Sequence, residues 1–300
     1  MLLGINVGGT TTSVVVGNRA GAIHERVAFA TDSPSGPEPL IAQIVTAGRA
    51  YIERFPQIER IGVAIGGPMD ANAGIIYDPP NLPGWTALPL RARLEFALAR
   101  PVQVEHDAGA CAWAEFCFGD HGAITHLAYL TCGTGFGTGL VLAGKLYRGA
   151  HGRSPEIGHV RYIDAGPAFF EKPGCFEALG PGRALSAIAA WRYPARWGTE
   201  APTPPELGAL AATGDPDACD VLAYNARVVG DACALLADLL VVERIVLGSA
   251  AMYLGPSWVA HVEARFHAQV LPSVAAACRV VPSTLGDRLQ DCSGIAAALA

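Results

Sequence analysis

The stretch Gly4-Ile5-Asn6-Val7-Gly8-Gly9-Thr10-Thr11-Thr12-Ser13-Val14-Val15-Val16-Gly17 decides how the rest of the chain is read. A short apolar run enters Gly8-Gly9-Thr10, and a Thr/Ser/Val run resumes behind it. Two strands folded around such a turn make a hairpin whose backbone N–H groups can approach phosphate oxygens. Glycine allows the close approach, and the Thr10 hydroxyl adds a donor. Position 6 faces the same turn and carries an amide, where a loop that binds a nucleotide with its metal usually wants a carboxylate. Alone, the turn is equally well an ordinary hairpin.

The same grammar returns about 125 residues later. In residues 126–149 a strand runs into Gly133-Thr134-Gly135 and a second strand follows. Two strand–Gly/Thr–strand units in one chain predict a duplicated architecture. Between and after them strands and helices alternate: a helix over 37–54, a buried strand at 61–68 ending in Gly66-Gly67-Pro68, and a Pro-rich loop at 79–89. A helix follows at about 88–99, then a strand at 102–107, helical sequence at 108–118, a long Ala/Leu helix over 216–240, and a strand breaking into Gly248. This alternation predicts an α/β chain. At 300 residues and about 150 residues per domain, two domains are expected: 1–118 with 287–300, and 119–286.

Composition narrows the function. Apolar residues make up 51% and charged residues 16%, with a formal net charge of -6; the pI is near 5.7. This supports a sizeable core and argues against disorder. It also leaves no basic patch for nucleic acid. No run of 18 apolar residues predicts a membrane span, and no basic n-region precedes an apolar stretch as in a secretory signal. The 8 cysteines are scattered without a C-x-x-C pair. Reduced thiols and a cytoplasmic location are the expectation.

Three further places carry chemistry-bearing residues. Asp107, in Val104-Glu105-His106-Asp107, falls where a strand ends and a helix begins. Sheet ends of this kind hold the chemistry of α/β proteins, and a carboxylate there can take a proton from a hydroxyl nucleophile. An N-capping aspartate fits the same sequence. Glu156, His159 and Glu177 lie in loop sequence; they can grip sugar hydroxyls through directional hydrogen bonds, or simply be polar surface. His159 and Cys175 are both metal-type ligands, but two ligands do not close a tetrahedral zinc site.

Taken in order, the motifs resemble the ROK family of sugar kinases and sugar-responsive repressors, in the actin-like ATPase superfamily. The matching stretches are GINVGGTTT from Gly4, IGVAIGGPMDANAGIIYDPPNLPGW from Ile61, PVQVEHDAGA from Pro101, LTCGTGFGTGLVLAGKLYRGAHGRSPEIGH from Leu130, GCFEALGPG from Gly174 and RIVLGS from Arg244. The resemblance implies a two-domain fold of ribonuclease-H-like halves with an interdomain cleft, and ATP-dependent phosphorylation of a hexose, glucokinase-like by default. Asp107 would be the general base. Asn6, Gly8, Gly9, Thr10, Gly133, Thr134, Gly135 and Gly248 would surround ATP and its Mg2+. Gly66, Gly67, Asn81, His106, Glu156, His159 and Glu177 would touch the sugar with Asp107. A homodimer is the family's habit.

Three departures from the family pattern stand out. The family's D-x-G-G-T has Asn6 at its first place. Its E-N-D-A-N reads Glu105-His106-Asp107-Ala108-Gly109, with His106 at the place that normally contacts sugar. Of its zinc-binding E-x-G-H and C-x-C-G-x-x-G-C, only His159 and Cys175 remain, so no structural zinc is expected. The first two departures leave a second reading open, a non-catalytic sugar-binding regulator of the same family.

Overall fold

The computed structural model describes residues 1–300. Two open five-stranded sheets organise it. The first contains β1 (Leu2–Val7), β2 (Thr11–Gly17), β3 (Ile23–Ala30), β4 (Arg60–Ile65) and β5 (Val102–His106), in the order β3-β2-β1-β4-β5. The second contains β6 (Leu127–Leu130), β7 (Thr138–Leu142), β8 (Lys145–Tyr147), β9 (Arg244–Leu247) and β10 (Arg279–Pro282), in the order β8-β7-β6-β9-β10. The two orders have the same form: an antiparallel meander on one side and parallel strands on the other. The duplication expected from the glycine turns is therefore present in the topology.

The chain groups into two compact units. One holds Met1–Gly122, Gly139–Pro155 and Thr284–Ala300; the other holds Ala123–Thr138 and Glu156–Ser283.

In the first unit β1 is buried along its whole length, and its alternation sorts two cores. Leu3, Ile5 and Val7 join the large cluster with Ile44, Tyr51, Ile61, Val63, Leu94 and Val104. This cluster takes the apolar stripe of helix α1 (Pro37–Arg54), whose Leu40, Ile41, Ile44, Gly48 and Tyr51 are buried. It also takes Leu90, Leu94 and Leu98 of α2 (Leu90–Leu98). Each such aliphatic side chain contributes about 1.5–3 kcal/mol on burial. The even-numbered residues of β1 face the opposite way. Leu2 packs with Val15, Ile295 and Ala298, so this face is covered by the last helix of the chain, Leu289–Ala297.

That helix sits unusually close to the sheet. A Cβ at Gly4 would stand 2.7 Å from Ile295 N, and one at Gly294 would stand 2.6 Å from Ile5 N. A Cβ at Gly62 would collide with Gly294 O and Ala298 N. Glycine at 4, 62 and 294 therefore lets backbone pack on backbone, and Ala64, Ala110 and Ala297 fill the next layer. The third helix of this unit, α3 (Asp107–Phe118), follows β5 without an intervening loop. Near its far end Glu115, fully buried, accepts from the Thr284 hydroxyl at 2.9 Å and lies 2.8 Å from His121 Nε2.

In the second unit β9 pairs parallel with β6 and with β10. The long helix α4 (Pro216–Leu240), N-capped by Asp215 accepting from Ala218 N, packs on α5 (Gly255–Gln269). Gly230 makes that contact close, since a Cβ there would be 2.8 Å from Val262 O. The last helix of the chain, α6 (Leu289–Ala297), belongs to the first unit.

Candidate functional site

Register places the candidate residues of the first unit in one row. Val7 pairs with Ile65, and Ile65 pairs with His106. The three parallel strands β1, β4 and β5 thus end at one level, and the residues that leave the sheet there are Gly8, Gly66 and Asp107. Carboxyl ends of parallel strands are where open α/β sheets carry ligands, because loops diverge there and backbone groups are no longer used by the ladder.

Asp107 opens α3 as its first residue, while His106 stands at the N-cap position without a side-chain cap bond. The Asp107 side chain is 45% exposed. Its Oδ1 accepts the Ala108 N–H at 2.7 Å. Its Oδ2 faces the Gly66 turn, 4.0 Å from where Gly66 would carry a Cβ. The N-cap place expected for Asp107 belongs to His106, and one Asp107 carboxylate oxygen is taken up by the neighbouring N–H of the helix's first turn. His106 is largely buried, with Nδ1 3.2 Å from Asp107 Oδ1. The alignment is not that of a hydrogen bond, and Nδ1 is a buried nitrogen without a partner. The imidazole lies against Gly67, whose Cβ would be 2.9 Å from His106 Cδ2.

Glu105, just before His106, is 2% exposed and paired with Arg148, whose Nε lies 2.9 and 3.1 Å from the two carboxylate oxygens. Gln103 donates to the same carboxylate at 2.6 Å. This network fixes the end of β5 that carries His106 and Asp107. The spacing of residues 103, 105 and 148 gave no hint of it.

The first glycine turn is built from the backbone. Gly8 N donates to Thr11 O at 3.1 Å, Thr31 N donates to Thr10 O at 2.9 Å, and Ser33 Oγ donates to Gly9 O at 3.2 Å. These bonds hold the carbonyls and leave the Gly9 and Thr10 N–H groups for another acceptor. Asn81, exposed, packs on Gly9, where a Cβ would be 3.3 Å from the Asn81 Cβ. Asn6 faces α6 rather than the turn alone. Its Nδ2 donates to Gln290 Oε1 at 3.0 Å and to Ser293 Oγ at 3.2 Å. A carboxylate could donate to neither, which is one physical reason for an amide at this place.

The second unit holds the remaining candidates. Thr131 Oγ1 donates to Gly135 O at 2.8 Å and accepts from Gly137 N at 2.9 Å, closing the loop around Gly133-Thr134-Gly135. Gly182 N and Arg183 N donate to Cys132 O and Gly133 O at 3.0 and 3.3 Å. Gly248 lies beneath, where a Cβ would be 2.5 Å from the Tyr129 hydroxyl. As in the first unit, the carbonyls are engaged, while Thr134 is exposed with its hydroxyl free of partners. Such a nest of N–H groups suits a polyphosphate.

Glu177 is 8% exposed. Its Oε2 accepts the Phe136 N–H at 2.7 Å and its Oε1 accepts from Arg183 at 2.9 Å. It therefore braces the glycine loop from within, and a Cβ at Gly158 would be 2.7 Å from its Oε2. That contact brings the turn Glu156–His159 onto the same carboxylate. Glu156 is exposed. His159 is half-buried, stacked on Phe170 at 5.8 Å, with its carbonyl accepting from Lys172 Nζ at 2.6 Å. Cys175 is fully buried.

No three His, Cys, Asp or Glu side chains gather around one point as metal ligands. A Mg2+ that arrives on phosphates and keeps most of its waters needs no such cage.

Comparison with known proteins decides the family. The ROK family model matches residues 2–299. The chain belongs to the ROK family. It is similar to a glucokinase of Halalkalibacterium halodurans, 28% identical over an alignment of 300 positions that covers 95% of this chain and 91% of that protein. It is also similar to the crystal structure of the ROK hexokinase from Thermus thermophilus, with a TM-score of 0.85 and 30% identity over 99% of this chain and 96% of that one. A ROK glucokinase from Streptomyces griseus, solved with glucose and AMPPNP, aligns with a TM-score of 0.80 and 26% identity over 99% and 97% of the two chains. The fold is accordingly the actin-like ATPase fold of ROK kinases. No helix is long and apolar enough to cross a membrane.

Proposed function

We propose that this chain is an ATP-dependent hexose kinase, with glucose the first sugar to try and Asp107 as the general base. The observation that carries this reading is the row Gly8, Gly66 and Asp107 at one strand-end level, with a half-exposed carboxylate whose Oδ1 alone is committed to the helix start. The similarity to a glucokinase solved with glucose and AMPPNP supports the choice of sugar and nucleotide.

When bound, ATP supplies the phosphoryl group and Mg2+ offsets charge on its phosphates. The chain contributes position and electrostatics, which is most of what phosphoryl transfer requires. Ala108 N–H fixes the rotamer of Asp107 through Oδ1. Oδ2 then accepts the proton of the sugar hydroxyl as that oxygen attacks phosphorus. Gly9, Thr10, Gly133, Thr134 and Gly135 offer N–H and hydroxyl donors to phosphate oxygens. Asn81, His106, Glu156 and His159 are the remaining candidates for sugar hydroxyls. Glu177 is already engaged once at each oxygen, and a sugar hydroxyl would have to donate to a remaining lone pair.

The test is Asp107→Asn, assayed by coupled ADP release over a hexose panel. General-base catalysis contributes about 10²–10⁴-fold. The variant should keep its fold and sugar binding and lose turnover on that scale. Near-normal turnover would remove Asp107 from the chemistry. A wild-type protein that binds hexoses without releasing ADP would favour the sugar-binding regulator, the reading that Asn6 and His106 leave open.

A further inference from the structure

Arg183 touches the second glycine turn at both ends. Its N–H donates to Gly133 O at 3.3 Å. Its guanidinium donates to Glu177 Oε1 at 2.9 Å, and that oxygen is 3.4 Å from where Gly135 would carry a Cβ. The guanidinium also lies over the Phe169 ring, 4.2 Å from its centroid. A cation is thus held over an aromatic ring beside a glycine loop whose carbonyls are engaged.

The way it is held leaves most of its binding capacity unused. Guanidinium carries five N–H donors in a planar fork suited to two-point contact with carboxylate or phosphate. Here a single nitrogen meets a single carboxylate oxygen, and the side chain is 38% exposed. Glu177 in turn keeps its other oxygen on Phe136 N whatever Arg183 does. The pair can therefore part while Glu177 stays bound to Phe136 N, with the Phe169 ring still beside the guanidinium.

We propose that Arg183 binds the terminal phosphate oxygens of the nucleotide, with Glu177 as the carboxylate that holds the guanidinium in place when no nucleotide is bound. This rests on the kinase reading above. Arg183 exchanges no proton and forms no covalent bond. It offers positive charge and a donor fork to oxygens whose charge is redistributed as the phosphoryl group transfers. Because the terminal phosphate is the target, ATP should feel the residue more than ADP does.

The bland role for the same geometry is neutralisation of Glu177, and a double-variant cycle separates the two. Arg183→Met is compared with wild type, and Arg183→Met/Glu177→Gln is compared with Glu177→Gln. The readouts are the thermal shifts induced by ATP, ADP and glucose, and ADP release. Loss of the ATP-induced shift relative to ADP, an unchanged glucose shift, and a fall in kcat of about 10²–10³-fold in both backgrounds support the proposal. An effect of Arg183→Met that vanishes in the Glu177→Gln background overturns it, as does equal loss of the ATP and ADP shifts. Arg183→Lys, which keeps the charge but not the fork, guards against a folding defect in the methionine variant and should retain part of the ATP shift. If wild type turns over while Arg183→Met does so equally, only this proposal fails. If wild type neither binds ATP nor releases ADP, the kinase reading fails and takes this one with it.

Discussion

The Asn6 carboxamide donates to Ser293 Oγ across 3.2 Å, joining the first strand of the chain to its last helix. The same nitrogen donates to Gln290 at 3.0 Å, and Asn6 is 8% exposed. Asn6→Asp replaces two donated bonds with a carboxylate in a confined place. Gln290 can turn its amide and Ser293 its hydroxyl, so part of the loss is recovered. The expected cost is about 1–2 kcal/mol, read as a fall in Tm of about 2–4 °C. The added charge should also lower the KM for Mg-ATP by about tenfold, a gain of about 1.4 kcal/mol. An unchanged Tm would show that the bonds to α6 do not hold position 6. A lower Tm with an unmoved KM would make Asn6 purely structural.

His106 should set the sugar preference. Its imidazole fills a place beside Gly67 and Asp107, and its Nδ1 has no hydrogen-bond partner. An amide there would be smaller and could donate and accept from one planar end. His106→Asn is expected to move the ranking of hexoses by kcat/KM toward glucose. Gly67→Ala should disturb the same residue from the other side, since the new Cβ would be 2.9 Å from His106 Cδ2, and should raise the sugar KM while leaving the KM for Mg-ATP unchanged. A ranking that is the same for wild type and His106→Asn would remove position 106 from sugar selection.

The Glu105–Arg148 pair should respond asymmetrically to truncation. Glu105 is 2% exposed and Arg148 27%. Arg148→Met strands a buried carboxylate with Gln103 as its remaining donor, at a cost of about 3 kcal/mol or more. Glu105→Gln leaves a cation that can turn toward water, at about 1 kcal/mol. Urea denaturation of the two variants checks the order, and equal or reversed costs would contradict the burial argument.

Native thiol labelling should be selective. Of the eight cysteines only Cys117 and Cys219 are exposed, and all eight are free thiols. Although part of Cys117 reaches solvent, the protein packed around its sulfur desolvates the thiolate and pushes the thiol up to about 11, which lowers its thiolate fraction and slows alkylation near pH 8. Cys219 should therefore label first and Cys117 slowly. The other six should be protected until denaturant is added. Mass spectrometry after brief iodoacetamide treatment gives the order, and early labelling of Cys132 or Cys233 would conflict with their burial.

What could be read from the chain was local. The hairpin around Gly8-Gly9, the helix from Pro37 to Arg54, the abrupt passage from strand to helix at Asp107 and the long helix ending at Leu240 all follow from periodicity and turn residues within short windows. β3 (Ile23–Ala30) escaped because its largely exposed residues show no clean alternation. The partners that shape the site were out of reach for a different reason. Asn6 meets Gln290 and Ser293, Glu105 meets Arg148, and Glu177 braces Phe136 and pairs with Arg183, so most of these bonds join distant parts of the chain. Only Arg183 carried a nearby signal, standing directly after the Gly180-Pro181-Gly182 run and six residues from Glu177.

The close seating of α6 on Gly4 and Gly62 bears on how the protein is made. The strands it covers leave the ribosome well before the helix that seals their second face, which is assembled from residues 289–297. Until those residues have been synthesised, Leu2, Val15 and the backbone around Gly4 and Gly62 lack their cover. The second unit's residues, through Ser283, emerge before that cover does. The usual order, in which N-terminal portions mature first during translation, is thus inverted here: the half that is begun first is the half that is finished last, and a nascent chain stalled before Leu289 would carry an open sheet face for chaperones to shield.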